Sequence, residues 1–338
     1  MNPSTPHGMA VNKLAQVRVA QVLRAAKLPT DTPLERMCSV TNEVWRTSQY
    51  LIRVNRRADG RLRREAFLSR GLPDEVEYPE IMAISQAPEM DWMITRRVPG
   101  TPLSRAWPTM TTKAREGAIE QLAQKLKSLH ATPFTDNIAP LDTPPQLLDL
   151  GSPTPTWRLL DSIKRAGQLK FVEAELIEAI SQHVRDYQSS IDGVPVTNFV
   201  HGDLTFENLL WDGTKISAMI DFEWSRPGPA DLDLDILLRL AAFPFLHVAP
   251  DYEAQTLASD YELIPSVLER HYPELWDAEC IVERLALYSI AYDIRALLRF
   301  PPKDHPSRLY EHHPLNRLRR TVALTSHVHQ FLQAGFAL

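Results

Sequence analysis

The sequence predicts an α+β chain of two lobes, a small β-rich one followed by a larger, mainly helical one. Three observations carry this. Residues 38–98 break into short β-leaning pieces around one helical segment, apolar residues recur at helical steps from Thr111 onward, and Pro99-Gly100 sits where the texture changes. A length of 338 residues suits two domains or one large two-lobed unit. The expected division is 1–98 and 99–338.

The elements follow in order. Leu14, Val17, Val19, Val22 and Leu23 suggest an amphipathic helix lying on the first lobe. Glu43 to Thr47, Tyr50 to Asn55, Glu80 to Ser85 and Trp92 to Val98 read as strands, and Leu62 to Ser69 as the helix among them. Ile119, Leu122, Leu126 and Leu129 form the stripe of a core-facing helix. Further helices are expected near 157–190, 231–243, 254–271 and 278–299. Residues 133–156 hold six prolines and no periodicity; so long a loop is usually functional or mobile. With Trp107 and Trp157 it is expected to frame a large ligand.

Composition narrows the classes. The 37 Lys and Arg against 42 Asp and Glu leave a net charge of -5, a poor balance for general nucleic-acid binding. The charge is uneven, +4 over residues 1–100 and -9 over the remainder. No stretch approaches the ~20 apolar residues of a membrane span. Two cysteines, Cys38 and Cys280, suggest a reducing cytoplasm and are expected to be buried as small hydrophobes. Patterns of Walker NTPases, serine hydrolases and zinc proteases are absent from the sequence.

Chemistry concentrates in Phe199 to Trp224. Phe199 and Val200 leave the core, and a polar loop follows with His201, Asp203 and Asn208. Leu209 to Trp211 then pairs with Lys215 to Ile220 across Asp212-Gly213, a strong hairpin signal. The hairpin returns Asp221 to the neighbourhood of Asn208. A carboxylate and an amide oxygen held there suit a hard cation such as Mg²⁺. Asp203, five residues before Asn208, is placed to take the proton of an attacking hydroxyl. That layout serves phosphoryl transfer, in which positioning and charge neutralisation supply most of the catalysis. His-Gly-Asp-x-x-x-x-Asn followed by Asp-Phe-Glu parallels the protein-kinase pattern His-Arg-Asp-x-x-x-x-Asn and Asp-Phe-Gly.

These residues resemble the aminoglycoside phosphotransferases, small-molecule kinases related to choline kinases, over about Ser39 to Leu240. His201-Gly202-Asp203-Leu204 matches the family's catalytic loop, with Asp203 as base and His201 as support. Asn208 and Asp221 match its metal ligands, and Asp233 in Gly228 to Leu234 matches the aspartate that braces the loop. Leu122 to His130 resembles a family helix. The resemblance implies a bilobal protein-kinase-like fold with a nucleotide-binding first lobe. Arg53 would reach the phosphates with Glu65 as its partner. Ser39, Thr41 and Asn42 would lie in a phosphate-covering turn without glycine, and the Arg96 and Val98 backbones would read the purine.

The implied cofactors are Mg²⁺ and ATP or GTP, the two undecided. The implied partner is a small-molecule hydroxyl, with no nucleic acid or membrane, for a cytoplasmic monomer or homodimer. Glu223, Tyr288, Tyr292 and Asp293 are candidate acceptor contacts. The acidic second lobe favours a cationic antibiotic, hence resistance. A metabolic kinase of a sugar, amino alcohol or nucleoside-like compound, or a nucleotide-binding pseudokinase, stays open.

Overall fold

The structure, a computed structural model, describes residues 6–37, 39, 42–57, 59–87, 89–134 and 146–333. Helix α1 (Pro6–Ala25) precedes the strands β1 (Glu35–Met37), β2 (Glu43–Arg46) and β3 (Tyr50–Asn55), helix α2 (Arg61–Leu68), and the strands β4 (Ile81–Ile84) and β5 (Asp91–Arg96). The five strands form an antiparallel sheet in the order β1-β2-β3-β5-β4. Helix α1 lies on it as expected, but on a face shifted from the one anticipated. Ala15, Val19, Val22 and Leu23 pack with Trp45, Ile52, Val54 and Ile94, while Leu14 and Val17 are exposed. The steps of four, three and one from Ala15 make one continuous helical stripe, which Leu14 and Val17 fall outside.

Helix α2 starts at Gly60, whose positive φ of 78° leaves no side-chain cap. Asp91 of β5 supplies one from across the lobe. Its carboxylate accepts the Leu62 and Arg63 N–H groups at 3.1 and 3.2 Å, and Asn55 Nδ2 at 2.8 Å. This fixes α2 over the sheet, where Leu62 and Ala66 pack on Met93, and lets Arg64 and Glu65 reach the second lobe.

The second lobe holds β6 (Thr101–Pro102), α3 (Leu103–Ala106), α4 (Thr112–Ala131), α5 (Trp157–Ala166), α6 (Ala174–Tyr187), β7 (Asn198–Val200), β8 (Leu209–Trp211), β9 (Ile216–Met219), β10 (Arg226–Gly228), α7 (Asp231–Ala242), α8 (Ile264–His271), α9 (Ile281–Arg299), α10 (Pro314–Val322) and α11 (His327–Gln333). The segment 157–190 is thus two helices, the helix expected over 254–271 is only its last two turns, and two terminal helices were not anticipated. Strand β6 pairs with β8, and β8 with β9 across the expected hairpin. In its turn, Asp212 Oδ1 accepts the Thr214 and Lys215 N–H groups at 2.8 and 2.9 Å. Gly100, at φ +126°, lets the chain pass so close to β8 that a Cβ would lie 2.8 Å from the Trp211 carbonyl oxygen.

Two other expectations change. Trp107 frames no ligand: it is fully buried, packed on Phe206 and Tyr261 at 4.6 and 5.6 Å, with its indole N–H on the Asp260 carbonyl. Cys280 is exposed, because it stands at the open start of α9 rather than inside it. Cys38, Thr41 and residues 135–145 of the proline-rich segment lie outside the described residues. Among the described residues no helix is long and apolar enough to cross a membrane.

Candidate active site

Strand β7 delivers the loop that begins at His201, and β10 pairs with β7 so that Arg226 stands opposite Val200. The loop is held from beneath by Asp233, near the start of α7. Its buried carboxylate accepts the His201 N–H at 2.7 Å and the Gly202 N–H at 2.8 Å, and lies 3.1 Å from His130 Nε2. Burial opposes ionisation of Asp233, but the His130 hydrogen bond and the neighbouring histidines and N–H groups outweigh it and hold the carboxyl below its ordinary value. Gly202 has φ +80°, and a Cβ there would lie 2.5 Å from the Trp224 carbonyl oxygen and 2.9 Å from Arg226 Nη1. Only glycine fits.

His201 is fully buried, with Nε2 3.0 Å from the Ile220 carbonyl and Nδ1 3.3 Å from the Asp203 N–H. A proton on Nε2 satisfies both contacts. His201 therefore ties the Asp203 loop to the end of β9, just before Asp221. Asn208 adds two further ties. Its Nδ2 donates to the Asp203 carbonyl at 2.8 Å, and its own backbone carbonyl accepts the Ile220 N–H at 2.9 Å. Residues 203, 208 and 221 are thus brought together by backbone as well as side-chain bonds. Asp221 itself adopts the left-handed conformation, φ 67° and ψ 53°, which aspartate tolerates better than most residues.

The first lobe meets this loop through α2 and β3. Arg53, buried on β3, donates from Nη1 to Glu65 Oε2 and from Nη2 to Asp221 Oδ1, both at 2.7 Å. Glu65 is fully buried, and its Oε1 also accepts the Tyr78 hydroxyl at 2.9 Å and the Phe222 N–H at 3.3 Å. Arg64 beside it donates to the Glu223 carbonyl at 2.8 Å and to the Ser225 carbonyl. Tyr78 and Arg64 carry no sequence signal of these roles beyond their place next to Glu65 in the fold and in the chain.

The remaining expected residues sort as follows. Ser39 is exposed and Asn42 buried, on either side of the β1–β2 connection. The Arg96 N–H donates to the Glu80 carbonyl at 2.8 Å and its side chain pairs with Glu80 at 2.6 Å. Val98 lies two residues beyond the end of β5. Glu223 is buried and faces α2, 3.5 Å from Arg61; burial and the Asp221 charge push its carboxyl up to about 7. Asp293 is buried and paired with Arg317 at 2.6 Å. Neither lines the cavity beside Asp203.

That cavity measures about 470 Å³. Asp203 and Gly202 stand in its wall with Arg226, Tyr288, Tyr292 and Arg295. The Asp203 carboxyl is pushed up by burial and then by the charge of Asp221. A larger groove of about 940 Å³, between residues 25–27, 69–79 and β4, holds none of the loop residues.

The donor set fits a magnesium ion. Asn208 spends its NH₂ on the Asp203 carbonyl, so its Oδ1 is the atom free to face a cation beside the Asp221 carboxylate. Among the described residues no group of three or more His, Cys, Asp or Glu side chains is arranged to hold a metal. An ion here would complete its shell with water and phosphate oxygens, the habit of Mg²⁺.

A family model described as the phosphotransferase enzyme family (APH) matches residues 39–265. The chain belongs to that family. Structures similar to it include an ADP-bound aminoglycoside phosphotransferase APH(2'')-Ib, at 17% identity over 91% of this chain and 98% of that one, with a TM-score of 0.59. A choline/ethanolamine kinase family protein from Mesorhizobium loti is 19% identical over 95% and 100%, with a TM-score of 0.58. The GDP complex of aminoglycoside 2'-phosphotransferase-IIIa is 16% identical over 91% and 98%, with a TM-score of 0.60. No curated protein sequence matches the chain. The phosphotransferase family member is therefore a small-molecule kinase with the bilobal kinase-like fold.

Proposed function

We propose that the protein transfers the γ-phosphoryl group of ATP or GTP to a hydroxyl of a small molecule, with Asp203 as the base. The observation that carries this is the convergence of Asp203, Asn208 and Asp221 beneath Arg53, with an open cavity on the other side of Asp203. Mg²⁺, when bound by Asn208 and Asp221, neutralises phosphate charge. Arg53, positioned by Glu65, holds the phosphates, with Ser39 and Asn42 serving as further contacts to them. A purine would meet the Arg96 carbonyl, since the Arg96 N–H is already engaged, and the Val98 N–H. Asp203 orients the acceptor hydroxyl and takes its proton as the phosphoryl passes in line.

The 1–98 lobe serves the nucleotide and the 99–338 lobe the catalytic loop and acceptor, in a cytoplasmic protein. Tyr288 and Tyr292 are the acceptor contacts that remain, since both line the cavity. An antibiotic acceptor, with resistance as the outcome, and a metabolic acceptor both fit this chemistry. Asp203→Asn should lower turnover ~10²-fold or more while sparing nucleotide affinity, as loss of a general base does. A coupled nucleotide assay and a nucleotide titration measure the two. Equal losses in both would contradict the role given to Asp203.

A further inference from the structure

The cavity beside Asp203 is rich in guanidinium groups, although the lobe around it is acidic. Arg226, Arg239 and Arg295 line it, with Arg158 at one side. Of the carboxylates there, Asp149 lies 3.8 Å from Arg158, and Asp235 takes Arg239 Nη2 at 2.5 Å and the Ser289 hydroxyl at 2.9 Å. Of the lining carboxylates that leaves Asp203, which faces Arg295, while the buried Asp233, already spent on the loop N–H groups, lies behind Arg226.

Neither of those two has a carboxylate within ion-pair distance among the described residues. Arg226 donates to the Trp224 carbonyl at 3.2 Å, and Arg295 lies 5.4 Å from the ring centres of both Trp224 and Tyr292. Burial pushes Arg226 down to about 10 and Arg295 down as well. Arg239 is 1% exposed, yet its Nε and Nη1 have no hydrogen-bond partner. Buried donors left unmade are costly, and a ligand oxygen would satisfy them. Guanidinium forks match carboxylate and phosphate oxygens two at a time.

We propose that the acceptor carries an oxyanion, a carboxylate or a phosphate, which Arg226 and Arg295 hold with Arg239 behind them, so that its hydroxyl lies over Asp203. This rests on the kinase reading above. It also reverses the expectation of a cationic acceptor: the charge of -9 after residue 100 describes the whole lobe, whereas a bound amine would meet these three guanidinium groups at close range, where like charges repel.

The test uses the full chain loaded with Mg²⁺ and a non-hydrolysable ATP analogue, titrated calorimetrically with gluconate, glucose 6-phosphate, glucose and glucosamine, and with inorganic phosphate as a shape-independent probe. Phosphate and at least one of the two anionic sugars should bind at least tenfold tighter than glucosamine, and which anion wins identifies the oxyanion. Arg295→Met should weaken that binding tenfold or more and leave the analogue's affinity unchanged; Arg295→Lys should restore part of it. Arg239→Met gives a second reading if Arg295→Met unfolds. Binding of glucosamine as tight as the anions, or anion binding indifferent to both Met variants, overturns the proposal. Failure of the analogue itself to bind, with phosphate still bound, overturns the kinase reading and leaves the oxyanion site standing.

Discussion

Asp233 shows how one buried carboxylate can hold a loop in place. It satisfies two consecutive backbone N–H groups and faces His130. Asp233→Ala would leave the His201 and Gly202 N–H groups buried and unpaired, at roughly 1–3 kcal/mol each. The pH dependence has a definite sign. Because the folded carboxyl titrates below its ordinary value of 3.8, its stabilisation is complete above that value and is lost as pH falls through the folded one. Urea denaturation should therefore show a gap between wild type and Asp233→Asn at pH 6 that narrows below pH 3. That Asp233 braces the loop was legible from the resemblance; which backbone groups it takes, the His201 and Gly202 N–H 32 and 31 residues away, only the fold decided.

At the scale of elements, two junctions deserve a test. Gly202 is pinned between β7 and the Trp224 carbonyl. Gly202→Ala forces a Cβ into that backbone and strains a left-handed residue, at roughly 1–3 kcal/mol for the conformation alone; thermal denaturation should show the loss and the coupled assay a fall in turnover. Helix α1 packs fully buried side chains on the first sheet, and Leu23→Ala should cost about 2–5 kcal/mol, read from denaturant midpoints. Four strands of the first sheet, the hairpin and most helices were readable from alternation and three- and four-residue steps, whereas the short strands β1, β6 and β10 carry too few residues to show a pattern. The buried face of α1 was misplaced because Leu and Val also occur on its solvent side, and hydrophobicity by residue type cannot see which stripe the sheet covers. Trp107 was misread for a related reason: a large aromatic suits a ligand wall and a core equally until its neighbours Phe206 and Tyr261 are in place.

At the scale of the molecule, Arg53 spans the two lobes, bound at once to Glu65 of the first and Asp221 of the second. On the proposed reading Mg²⁺ would take Asp221 and the phosphates Arg53, so their mutual contact would give way while Glu65 keeps Arg53 in place, and nucleotide binding would be coupled to the lobe arrangement through one side chain. Magnesium nucleotide at 100 times its dissociation constant should stabilise the protein by about 2.7 kcal/mol. A melting shift measures this, and chelation of the metal should remove most of it. Arg53→Met should abolish the shift while the protein remains folded; a full shift in that variant would contradict the role proposed for Arg53.

By itself the sequence determined the family, the two-lobed class and the short run that holds Asp203, Asn208 and Asp221. These depend on local spacing and turn chemistry, which a linear chain displays. The tertiary structure alone decided what faces the acceptor cavity. Arg226, Arg239 and Arg295 come from a strand and two helices; folding brings them to one cavity and, among the described residues, leaves Arg226 and Arg295 without a paired carboxylate, while Arg239 keeps Asp235. A sum over the lobe averages their field away and gives the opposite sign.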